Sequence, residues 1–128
     1  MEVTKINLRP LLAKDLTKES VGELELFQNE TLRPILKLQH ELLIAVFKNY
    51  LISKKANFQN KKEVDQILFI ENSITKDLAL KNQCIGLVLG MFTISEFKVY
   101  ESRSSEYNKR IISMLKKRLI DSIPQIKA

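Results

Sequence analysis

Tryptophan is absent from this chain of 128 residues, which holds one cysteine, one histidine, three glycines and three prolines. Each scarcity removes a class of structure. A lone cysteine, Cys84, rules out an internal disulfide and leaves no set of thiolates for a structural zinc site. A lone histidine, His40, removes the H-x-x-x-H and E-x-x-H patterns on which helical zinc and di-iron sites are built. With so few glycines and prolines, few tight turns are specified, so long helices fit the composition better than many short strands. The longest apolar run, CIGLVLGMF at residues 84–92, falls far short of the roughly 20 residues needed to span a bilayer. The first residues, MEVTKINLRPLLAKDLTKES, have no uninterrupted apolar region and no small-residue cleavage site, so no secretory signal is expected. These absences predict a cytoplasmic protein with no membrane contact, no metal and no cofactor.

What remains is a chain suited to helices. Hydrophobic residues make up 45% of it and charged residues 28%, an ordinary balance for a globular domain. This length fits one domain and can bury a sizeable core. No internal repeat and no low-complexity segment divides it. Residues 1–128 are therefore read as a single all-α domain, a bundle of four or five helices with one long, Pro-kinked helix. The net charge of +6 permits attraction to nucleic acid, acidic proteins or anionic lipid without selecting among them.

Residues 1–19 form an N-terminal arm or short helix. Pro10 suits a first helical turn, which predicts a helix over about residues 9–18 that docks on the body. A partner-binding arm is the alternative. Residues 20–123 form the bundle. It opens with S-V-G-E at residues 20–23, a capping box that starts the long helix. The centre of that helix is QNETLRPILKLQHELLIAVFKNYL, residues 28–51. Pro34 lacks the donor for the Glu30 carbonyl, so a kink is expected between Glu30 and Pro34. A break with Thr31 as a new N-cap is the other option. Projected at about 100° per residue, Leu32, Ile35, Leu36, Leu42, Leu43, Val46, Phe47 and Tyr50 share one face. Gln28 and Gln39 fall within it. A buried amide left unpaired costs on the order of 1–3 kcal/mol, so each needs a partner. Arg33, Lys37 and His40 form a polar flank beside the stripe.

Asn60 and Glu63 signal the next helix, over about residues 61–76. Its predicted apolar face is Val64, Ile67, Ile74 and Leu78, with Leu68 and Ile70 at the margins and Glu71 inside the face. Asp77 is a candidate N-cap for residues 78–92, a segment apolar nearly all round and so expected to be central. Ala79, Gly86 and Gly90 would let another helix approach closely there. T-I-S-E at residues 93–96 is a further capping box. The last helical stretch is predicted over residues 94–123, with residues 102–105 the place where it would break. Pro124 is expected to end it and to leave residues 124–128 as a frayed tail.

Two constellations could carry function, and each has a blander rival. Gln28, Arg33, Lys37, Gln39, His40 and Glu71 could converge on a polar pocket. Arg33 and Lys37 would hold an anion there, with His40 beside Glu71 for acid–base work. The structural rival pairs Glu71 with Arg33 or His40 and uses the glutamines as backbone caps, since buried polar networks commonly fix packing. The second constellation is a basic face of Lys109, Arg110, Lys116, Lys117 and Arg118, with Lys98 and Arg103. It could contact RNA, DNA or an acidic protein. No nucleic-acid motif and no interleaved aromatics accompany it, and a solvated charged face is the commoner explanation.

The segments QNETLRPILKLQHELL, FIENSITKD and NKRIISMLKKRL together resemble a small uncharacterised family of all-helical bacterial proteins, some of which carry a "glyoxalase" label. The resemblance covers about residues 20–123 and implies a helical fold. The label implies a βαβββ metal site with several His and Glu ligands. One histidine, no strand alternation and no glycine-rich turns give that site no counterpart here, so no functional residue is carried over. The expected function is non-catalytic binding of another macromolecule, a protein partner, as a subunit of a larger assembly or with a second copy in a homodimer. The alternatives are a small-molecule site or enzyme using Arg33, Gln39, His40 and Glu71, and nucleic-acid binding through the basic C-terminal helix.

Overall fold

The computed structural model describes Lys5, Arg9 and residues 22–128, and all regular structure among them is helical. The predicted capping serine, Ser20, and the predicted helix over residues 9–18 fall outside the described residues, apart from Arg9. We number the helices in chain order. The first, α1 (Glu23–Phe27), runs directly into a π turn (Gln28–Leu32) and then α2 (Arg33–Leu38). After Gln39 follow α3 (His40–Ser53), α4 (Glu63–Lys76), α5 (Leu78–Leu89) and α6 (Ile94–Ser102). The chain ends in α7 (Ser104–Asp121) and α8 (Ile123–Lys127).

Pro34 produces neither a break nor an N-cap at Thr31. The backbone stays in the right-handed helical region at Phe27, Leu32 and Arg33. The ladder instead widens by one residue, and the Arg33 N–H donates to the Gln28 carbonyl. A π turn of this kind absorbs the register change just where proline supplies no donor. Thr31 turns its hydroxyl across the bundle towards Glu96, 3.4 Å away. The chain leaves helical geometry further on, at Gln39, with φ −89° and ψ 6°.

One core runs through the bundle. Leu32, Ile35, Leu36, Leu43 and Phe47 enter it from the long helical rod, Ile70 and Ile74 from α4, and Val88 from α5. Tyr107, Ile111, Leu115 and Leu119 enter it from α7. Helix α4 packs against α5 and α7, α5 against α7, and α3 against α8. Of the predicted apolar stripe on the long rod, Leu42 alone is exposed; the rest is buried or half-buried.

Helix α4 departs from expectation. Its buried residues are Gln66, Ile70, Ser73 and Ile74, while Val64 is 69% exposed and Glu71 points to solvent. Hydrophobicity alone pulled the predicted face towards Val64 and Leu68. Packing chose a face containing Gln66, whose amide donates to the Phe58 carbonyl at 2.9 Å and so ties the preceding loop to the helix. Asn60 bonds Asn57 at 2.8 Å rather than capping α4.

The other caps are mixed. Asp77 caps α5 by accepting from the Leu80 N–H at 3.2 Å. Thr93 and Glu96 form the full capping box of α6. The last helical stretch breaks at Arg103, inside the predicted window. Gly86 is exposed and its α-carbon faces open space, so α5 is not closely approached there.

The C-terminal residues are also more ordered than expected. Pro124 starts a helix instead of ending one, because its missing N–H costs nothing in a first turn. Ile123 and Ile126 are buried. Lys48 donates to the Ala128 carbonyl at 3.1 Å and Gln59 to the Lys127 carbonyl at 3.0 Å. These bonds occupy acceptors that a helix C-terminus leaves free.

Candidate functional site

Arg33, Lys37 and His40 stand three and four residues apart, so they lie along one side of the rod. On α7, Lys117 and Arg118 occupy the side that faces them. Between the two elements lies an open groove of about 620 Å³. Its walls carry Gln28, Arg33, Lys37 and His40 on one side and Ser113, Lys117, Arg118, Asp121 and Ser122 on the other, with Leu36 and Met114 as its apolar contacts. Part of each constellation expected from the sequence lies here: Gln28, Arg33, Lys37 and His40 from the first, Lys117 and Arg118 from the second.

The groove is cationic. Four of its lining residues are Arg or Lys and one, Asp121, is an acid. Among the described residues, no ion pair neutralises Arg33, Lys37, Lys117 or Arg118. Burial, and behind it the like charge of Arg33, pushes the Arg118 guanidinium below its ordinary value, while Asp121 pulls the other way. Arginine keeps its proton in any case, so the groove holds real charge.

His40 joins a directed hydrogen-bond chain. Arg118 Nη1 lies 3.2 Å from His40 Nδ1. Arginine has only donors, so in this contact Nδ1 is the acceptor, which matches the tautomer with N–H at Nε2. That proton is donated to Gln125 Oε1 at 3.0 Å. Gln125 Nε2 in turn donates to both oxygens of the Glu41 carboxylate, at 3.1 and 3.2 Å. Both ring nitrogens are therefore engaged, and the chain fixes Arg118 in the groove wall.

The remaining candidate residues sort as follows. Gln28 accepts from Arg110 Nη1 at 2.9 Å at one end of the groove. Gln39 donates to the Leu87 carbonyl at 3.3 Å, an acceptor near the end of α5, and does not line the groove. Glu71, exposed on α4, is not among the groove residues, so no His40–Glu71 acid–base pair forms. On the basic face, Arg103 pairs with Glu106 at 2.7 Å, and Lys98 and Lys109 are exposed. Lys116 is half-buried and does not line the groove.

Sequence reasoning missed Asp121, Gln125 and Glu41 as groove and relay residues. The helical spacing of Asp121 with Lys117 and Arg118 was visible. The return of α8 towards α3, which delivers Gln125, was not.

A second polar centre lies elsewhere. Arg9 Nη1 and Nη2 donate to the two oxygens of Glu96 at 2.6 and 2.7 Å, and Arg9 also donates to the Met91 carbonyl. Lys5 donates to the Phe92 carbonyl at 3.0 Å. These two side chains contact the connection between α5 and α6 and the first turn of α6. Cys84 is buried, and burial pushes its thiol up to about 11, which keeps it protonated and unreactive at neutral pH. No group of three or more His, Cys, Asp or Glu side chains comes together among the described residues. No helix among them is long and apolar enough to cross a membrane. A scan against protein-family models and searches of curated proteins and of solved structures return no match, so the functional reading rests on the groove itself.

Proposed function

We propose that the protein is a non-catalytic helical binding protein that docks an acidic segment of a partner protein in the groove between α2, α3 and α7. One observation carries this reading. Four cations, two from α2 and two from α7, face one groove with a single carboxylate among its described lining residues. Unpaired like charges repel and cost stability, and an anionic partner removes that cost. Leu36 and Met114 add apolar contact for the partner's side chains. No Phe or Tyr lines the groove, so it lacks the stacking surface typical of single-stranded nucleic-acid sites.

The test is the affinity of a fluorescent glutamate-rich peptide, compared between the natural protein, a Lys37→Glu/Lys117→Glu variant and a Lys98→Glu/Lys109→Glu variant. Both lysine pairs are solvent-exposed, so neither change threatens the fold. The groove variant should bind at least about tenfold more weakly, and the natural protein's affinity should fall steeply with salt. Equal losses in both variants would show non-specific charge attraction and end this reading. Tighter binding of an RNA oligomer than of the peptide would move it to nucleic acid.

A further inference from the structure

We infer that the stretch of this groove lined by Arg33 and Arg118 is a subsite for the phosphoryl group of a phosphorylated segment of the partner protein. The inference rests on reading the groove as the docking site for an acidic protein segment, and it names the group that such a segment presents.

The argument begins with how the two arginines are held. Arg33 Nε donates to Asn29 Oδ1 at 2.9 Å. Arg118 Nη1 donates to His40 Nδ1 at 3.2 Å. Both acceptors are neutral, so each guanidinium is oriented without being neutralised. An arginine held by a carboxylate would be oriented and discharged together. A guanidinium has five N–H donors, and these contacts use one on each side chain. The rest remain for a ligand.

Charge then selects the ligand. A carboxylate brings one negative charge and two acceptor oxygens. A phosphomonoester brings about −1.5 to −2 at pH 7 and three strong acceptor oxygens. Two guanidiniums lining one groove, with one acid among its described lining residues, match the second ligand better, because bidentate arginine contacts suit phosphoryl oxygens. An anion that faces both Arg33 and Arg118 would meet the like charges that share this wall of the groove. Size favours a peptide over a free ion. A groove of about 620 Å³ is far larger than one phosphate, and Lys37 and Lys117 extend the positive charge beyond the arginine pair.

The experiment compares three forms of one acidic peptide, with serine, glutamate or phosphoserine at the central position, together with inorganic phosphate alone. Binding is measured by calorimetry to the natural protein and to Arg33→Gln and Arg118→Lys variants. Arg33 is exposed, so Arg33→Gln tests the subsite without threatening the fold. Arg118→Lys keeps the charge and removes the planar fork. The phosphoserine peptide should bind about tenfold or more tightly than the glutamate peptide, the worth of an added hydrogen bond to a charged group. Either variant should remove most of that preference. Equal affinity for the phosphoserine and glutamate peptides would overturn the subsite and leave the acidic-segment reading standing. If no peptide bound, both would fall. Inorganic phosphate binding as tightly as the phosphopeptide would overturn the assignment to a protein segment.

Discussion

Arg9 makes the most buried ionic contact among the described residues. Its side chain is 6% exposed and that of its partner Glu96 is 18% exposed. Burial alone would raise the Glu96 carboxyl. The hydrogen bonds and charge of Arg9, with hydrogen bonds from the Thr93 backbone and side chain, outweigh it and hold the carboxyl below its ordinary value of 4.5. A carboxyl with a lowered folded pKa contributes stability that is complete above its unfolded pKa and lost as pH falls through the folded one. The free energy of unfolding should therefore decline as pH drops below about 5, and a Glu96→Gln variant should show a shallower decline. At neutral pH that variant should be less stable by about 3 kcal/mol, since Arg9 would stay buried with its charge unmatched. Urea unfolding of both proteins across this pH range checks both statements. Part of this was legible in the sequence: the T-I-S-E box placed Glu96 at a helix start. The ion pair was not legible, because Arg9 reaches Glu96 from the far end of the chain and no local pattern records that meeting.

At the scale of elements, helix periodicity and caps located most of the helices, and polar residues decided where they deviate. Asp77 and the break at Arg103 were readable because each acts on its own backbone neighbours. The π turn before Pro34 was readable as a disturbance but not as a π turn, since a kink, a break and a widened ladder all answer a missing donor. Hydrophobic periodicity points to the wrong face of α4 because Gln66 and Ser73, which are buried there, are residue types common on surfaces. Helix α8 was read as a tail because Pro124 can stop or start a helix with equal ease. A mutation separates those two readings. Ile126→Ala should lower stability by about 3 kcal/mol if α8 is part of the core, as a large-to-small change at a buried site does. A frayed end would return a change near zero. Thermal melts of the variant decide, and a null result would contradict the packing of α8 on α3.

At the scale of the whole molecule, the groove was legible in halves. Arg33, Lys37 and His40 stood out on one helix, and Lys117 and Arg118 on another. Nothing in the spacing of either set told that the two face each other. Their meeting follows from the bundle: Arg110 and Arg118 of α7 reach Gln28 and His40 on the rod, and α8 returns to hold His40 through Gln125. Glu71, the residue that would have made the site look catalytic, is placed elsewhere by the rotation of α4. What results is a cationic wall in which Asn29 and His40 orient Arg33 and Arg118, and in which no ion pair among the described residues engages the four cations. The chain contains a single histidine, and its ring touches Arg118. The measurement that tests the account most directly is therefore nuclear magnetic resonance of the natural protein titrated with the phosphoserine peptide, read at the His40 ring and across the backbone amides. The account predicts saturable shifts at the His40 ring and at the amides of Arg33, Lys37, Lys117 and Arg118. Saturable shifts confined to other surfaces, with the His40 ring unmoved, would contradict it.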